Sequence, residues 1–143
     1  MSTTNCTRVL LVDDNTDLIT MLVQLLKGEK DLMSVGILES ADDLLAAVAE
    51  LRPDVVLLDR SMPGADPLDV LREVNLRFPD TRTLMFSAFD DRRTIDAVTA
   101  AGAWGIVSKD DEPATIFAAI RSVARGELCF PIARQRAGVL FNR

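Results

Sequence analysis

Histidine and tyrosine are both missing from this chain, and tryptophan occurs once. The absence of histidine excludes Ser–His catalytic pairs, imidazole metal cages and a phosphohistidine carried by this chain. Cysteine is limited to Cys6 and Cys129, which form neither a zinc nor a dithiol motif, so a reduced cytosolic protein is expected. No apolar run approaches the ~20 residues of a membrane span. The opening MSTTNCT has no signal-peptide core, so the reading is cytoplasmic with no membrane partner. An excess of basic charge is lacking too. Sixteen Lys and Arg stand against 22 Asp and Glu, a net charge of −6, which argues against direct nucleic-acid binding. What is present is ordinary for a folded domain: 48% hydrophobic and 27% charged residues in a chain of 143. That length favours one domain, burying roughly 68–70% of its unfolded surface without disulfide staples.

Short apolar runs alternate with amphipathic stretches five times. Residues 8–12 (RVLLV), 33–38, 55–58 (VVLL), 83–86 (TLMF) and 104–108 have strand length. Helical patterns are predicted between and after them at about 16–27, 41–51, 68–77, 91–101 and 113–125. Unbroken aliphatic runs are what central parallel strands show when helices cover both faces. Gly28 and Gly102 are placed as helix stops. Pro67 and Pro113 fall in first helical turns, with Asp66 and Asp111 as nearby caps. Strict alternation of β and α elements implies right-handed crossovers and a doubly wound parallel sheet. Periodicity leaves the strand order open. After residue 125 the character changes, with Arg134, Arg136 and Arg143 against Glu127 alone. An extra helix, a packed extension and a linker all fit that tail.

In open parallel sheets, ligands bind at the carboxyl ends of the strands. Here strand 1 runs into Asp13 and Asp14, strand 3 into Asp59, strand 4 into Ser87, and strand 5 into Ser108 and Lys109. Each piece alone has an ordinary explanation as a turn, a cap or a solvated charge. Gathered on one rim they make a different object. Clustered carboxylates either raise a pKa or call for a cation, and a few hard oxygen ligands suit Mg²⁺ or Mn²⁺. A lysine and a hydroxyl beside them suit an incoming phosphoryl group. The set is fit to form an aspartyl phosphate.

The stretches VLLVDDN (9–15), PDVVLLDRSMPGAD (53–66), TLMFSAFDD (83–91) and AGAWGIVSKD (101–110) resemble the receiver domain of bacterial two-component response regulators. The later part is similar to receivers of regulators carrying a helix-turn-helix. The resemblance covers residues 7–128, leaving 129–143 as a C-terminal tail or linker. It implies a single flavodoxin-like (βα)5 unit with strand order 2-1-3-4-5, acting as a signalling phosphoprotein and not as a dedicated enzyme. By motif position, Asp59 is the expected phosphoacceptor. Asp14 is the expected direct Mg²⁺ (or Mn²⁺) ligand, Asp13 a ligand through water, and Ser61 a ligand through its backbone carbonyl. Ser87 and Lys109 correspond to the switch hydroxyl and the phosphate-contacting lysine. The implied partners are a sensor histidine kinase or a histidine phosphotransfer protein, then a downstream effector or a weak, phosphorylation-dependent homodimer. The output side would include Arg92, Arg93, Asp96 and Arg121, and Phe89 is a candidate shield against water.

Three positions depart from the family pattern. Ile106 stands where an aromatic ring is usual, Asp110 where a proline often follows the lysine, and Pro67 where a glycine is frequent. The first keeps an alternative in play: an atypical receiver acting as a phosphorylation-independent interaction module. Enzymes of similar fold fit less well. An aspartyl phosphatase would place a second Asp where Ser61 stands, and Asp13–Asn15 would repel a flavin phosphate.

Overall fold

The computed structural model describes residues 6–88 and 91–130. Phe89 and residues 131–143, most of the sequence-defined tail, lie outside the described residues. Ten elements alternate: β1 (Thr7–Val12), α1 (Thr16–Leu26), β2 (Leu32–Leu38), α2 (Leu44–Leu51), β3 (Val55–Asp59), α3 (Pro67–Arg77), β4 (Arg82–Ser87), α4 (Arg92–Ala101), β5 (Gly105–Ser108) and α5 (Pro113–Ala124). The strands form one five-stranded sheet in the order β2-β1-β3-β4-β5, and every pairing is parallel. This is the flavodoxin-like doubly wound architecture expected from the resemblance.

The aliphatic strands are buried on both faces because successive side chains point to opposite sides. Val9, Leu11, Val55, Leu57, Leu84, Phe86 and Val107 pack under α1 and α5. Leu10, Val12, Val56, Leu58, Met85 and Ile106 pack under α2, α3 and α4. One irregularity interrupts β1–β2, where the register skips Val35 between the Val9–Ser34 and Leu10–Gly36 pairs.

Helix starts mostly follow their capping residues. Asn15, Asp66 and Asp91 accept from the backbone N–H of Leu18, Leu68 and Thr94. Gly102 ends α4 in the left-handed region at φ 101°, whereas Gly28 follows the Lys27 cap of α1 without a positive φ. Two sequence expectations are corrected. The second helix begins at Leu44, not residue 41, because Asp42 is turned away to accept from the N–H of Ala65 at 2.9 Å. The cap of α5 is Glu112, not Asp111, whose carboxylate accepts from the N–H of Ser108 at 2.9 Å.

Candidate functional site

The carboxyl ends of β1, β3, β4 and β5 meet at one rim. Asp13 continues β1, and its N–H donates to the carbonyl of Leu38 at 2.9 Å. Its Oδ1 accepts from the N–H of Asn15 at 2.8 Å, so the residue capping α1 also orients the carboxylate. Asp59 is the last residue of β3, and its Oδ1 accepts from the N–H of Ser61 at 3.1 Å. Lys109 leaves the end of β5, where its own N–H donates to the carbonyl of Ser87 at 2.8 Å. Its ammonium then reaches back over the sheet edge, 2.9 Å from Asp13 Oδ2 and 3.0 Å from Asp59 Oδ1. The ring of Phe86 lies beneath that ammonium at 5.4 Å, close enough for a cation–π contribution. Ser87 closes β4 and is buried.

Burial sets the electrostatics. Asp13 and Asp59 are each 1% exposed. Desolvation pushes the Asp59 carboxyl above its ordinary range; Lys109 and the Ser61 N–H oppose it, and the Asp13 charge adds to it. Burial pulls the Lys109 ammonium down, but its bonds to Asp13 and Asp59 outweigh this and leave it raised, hence firmly protonated. Among the described residues, Asp59 Oδ2 is buried without a hydrogen-bond partner.

The donor set fits a hard divalent cation. Asp13, Asp14 and Asp59 offer carboxylate oxygens within 4.8 Å of one another, two from buried residues and one from exposed Asp14. Three clustered carboxylates beside one ammonium leave negative charge uncompensated, which suits a small oxygen-coordinated ion.

The structure therefore brings Asp13, Asp14, Asp59 and Lys109 together side chain to side chain. Ser61 joins through its N–H and Ser87 through its carbonyl. Arg121 is not on an open face, because it is held by Glu29 at 2.5 Å and Asp31 at 2.7 Å. Sequence reasoning missed Asn15, Phe86 and Asp111 as supports of the site. The available signal was position alone: each lies within two residues of a strand end or a site residue.

A parallel α/β sheet with an acidic cluster and a lysine at its carboxyl rim defines the class, and sequence comparison gives the family. The profile described as "Response regulator receiver domain" matches residues 9–121, so the chain belongs to that family. Such domains are signalling modules and not dedicated enzymes. The chain is 34% identical over 120 residues to the DNA-binding transcriptional activator DevR/DosR of Mycobacterium tuberculosis, covering 83% of this chain and 55% of that protein. It is 30% identical over 128 residues to the nitrate/nitrite response regulator protein NarL of Escherichia coli K12, covering 90% of this chain and 59% of that protein. The chain thus spans little more than half the length of these curated relatives. Among solved structures, the signal receiver domain of the putative response regulator NarL from Mycobacterium tuberculosis superposes with a TM-score of 0.81 at 29% identity, covering 86% of this chain and 99% of that one. No helix among the described residues is long and apolar enough to cross a membrane.

Proposed function

We infer that this chain is a phosphorylation-controlled receiver whose acceptor is Asp59. The observation that carries the reading is the split environment of the Asp59 carboxylate: Oδ1 is held by Lys109 and the Ser61 N–H, while buried Oδ2 has no hydrogen-bond partner among the described residues. Oδ2 is the oxygen available to attack phosphorus. With a phosphohistidine donor, an O–P bond forms as the P–N bond breaks, and the electron pair leaves on the donor's imidazole nitrogen. Lys109 sits where the ammonium meets charge on the transferring group, and the Ser87 hydroxyl lies at the neighbouring strand end. Asp14, Asp59 and the Ser61 carbonyl would hold a Mg²⁺ or Mn²⁺ ion, with Asp13 through water, and such an ion would help to neutralise phosphoryl charge.

The donor would be a sensor histidine kinase or a histidine phosphotransfer protein in the cytoplasm, and residues 7–128 would form the receiver unit. The output would be a downstream effector or a homodimer that tightens on phosphorylation. DevR/DosR is described as DNA-binding, and this chain matches only about half of that protein.

Intact-mass analysis after acetyl phosphate treatment with Mg²⁺ tests the reading. One phosphoryl adduct is expected, lost in Asp59→Asn and strongly reduced in Asp14→Ala. An adduct that survives Asp59→Asn overturns the assignment. Absence of any adduct on the native chain favours the phosphorylation-independent interaction module.

A further inference from the structure

The sheet does not stop at β5. Gly126, at φ 84°, turns the chain at the end of α5, and the N–H of Glu127 donates to the carbonyl of Ser122 at 3.0 Å. The chain then runs alongside β5 in the parallel sense, with Cys129 bridging to Gly105. The N–H of Cys129 donates to the carbonyl of Trp104 at 2.9 Å, and the N–H of Ile106 donates to the carbonyl of Cys129 at 3.0 Å. The close approach requires glycine on β5, because a Cβ at Gly105 would collide with the Cys129 carbonyl. Cys129 packs against the core beneath α1 and α5, while Phe130 packs against the core beneath α2, α3 and α4. The segment therefore grips the sheet edge from both faces.

β5 has four residues, and among the described strands only β4 neighbours it. A strand that short and one-sided is a weak platform, since one row of its backbone groups is unpaired. Yet it must hold Lys109, whose ammonium lies 3.0 Å from Asp59. Gly105 and Ile106 lie three to four residues before Lys109, roughly 10–13 Å along the strand. The three carboxylates, by contrast, come from β1 and β3, which the segment does not pair with.

We propose that residues 127–130 are a positioning strap for Lys109: by pairing with β5 they fix the strand that aims the ammonium at Asp59. The kinetic consequence rests on Asp59 being the phosphoacceptor, whereas the positional one does not.

The test uses Cys129→Pro, which removes the N–H donated to Trp104, with Cys129→Ala, which keeps both backbone bonds, as the conservative control. Gly105→Ala expels the strap from the β5 side and serves if the proline variant fails to fold. Faster exchange of the Ile106 amide establishes that the strap is off. With the strap off, the Lys109 ε-methylene proton shift, set by the Phe86 ring below, is expected to move toward its random-coil value without any phosphoryl donor. The rate of Asp59 labelling by acetyl phosphate is expected to fall about tenfold, as small misplacements of a reacting group do. Mg²⁺ affinity stays within a factor of two, and Cys129→Ala retains the native rate. In a Lys109→Ala background the proline is expected to have no further effect on rate, because the strap acts through that lysine. A native Lys109 shift with the Ile106 amide unprotected overturns the proposal, as does an equal loss of rate with and without Lys109. If the native chain takes no label at Asp59, the functional reading fails, and the Lys109 shift still decides for or against the strap.

Discussion

At Asp59 burial opposes ionisation. Its carboxyl is buried, and desolvation raises its folded pKa above the unfolded value despite Lys109. The native state therefore binds that proton more tightly than the unfolded chain does. The sign follows from linkage: a charged Asp59 costs stability at neutral pH, and the cost is relieved as pH falls through the raised folded value. Without divalent ions, Asp59→Asn is expected to melt at a higher temperature than the native chain at pH 7. The gap should narrow as pH is lowered toward 4. Thermal melts across that range decide it, and a gap that widens on acidification would contradict the burial argument. The residues gathered at the rim, Asp13, Asp14, Asp59, Ser87 and Lys109, were legible as a cluster in the sequence because each ends or closely follows an apolar strand run. Asn15 and Asp111 were not. Short polar residues near helix starts look alike along the chain, and only the folded backbone shows which N–H each one meets.

At the scale of elements, Arg121 shows how a charged helix residue becomes a joint. From α5 it holds Asp31 through two nitrogens, at 2.7 and 2.9 Å, and also Glu29, in the connection between α1 and β2. The Arg121 bonds hold the Asp31 carboxyl below its ordinary range. A depressed folded pKa gives stability that is present above the unfolded pKa and lost as pH falls through the folded value. Asp31 is half exposed, so solvent screening limits the expected loss in Arg121→Ala to about 1 kcal/mol at neutral pH. The difference between native and variant proteins should shrink as pH falls through the lowered Asp31 value. Urea titrations at pH 7 and pH 3 measure this, and an undiminished difference in acid would place the effect in packing. Helix ends were legible where the stop residue is conformationally required. Gly102 needs φ 101°, and any Cβ there would strike the Asn75 side chain, whose amide donates to the carbonyls of Ala101 and Gly102. The start of α2 was illegible because Asp42 serves a loop 23 residues away.

For the whole molecule, alternation alone defined a doubly wound parallel sheet, but the order 2-1-3-4-5 came from the family resemblance. Each strand carries much the same apolar pattern, so periodicity cannot say which strand lies beside which. The strap across β5 was equally hidden, since residues 127–130 have neither strand length nor alternation. Both bear on how a change at Asp59 would spread. Ile106 is 4% exposed and shares the core with Met85, Ile95 and Val98. It is stiff at χ1, and its N–H is tied to Cys129. No ring is available at that position to swing inward. On the proposed phosphorylation of Asp59, however, the Ser87 hydroxyl would gain a charge-assisted hydrogen bond worth about 1.5–3 kcal/mol. Beryllofluoride, which stands in for that group, is therefore expected to shift the Ser87 amide strongly and the Ile106 amide only slightly. Ser87→Ala should blunt the response, whereas Ile106→Val should leave it nearly intact. Amide chemical-shift mapping of the three proteins provides the measurement. Large shifts centred on Ile106 and abolished by valine would make the isoleucine itself the moving part, and β5 rather than the end of β4 the route out of the site.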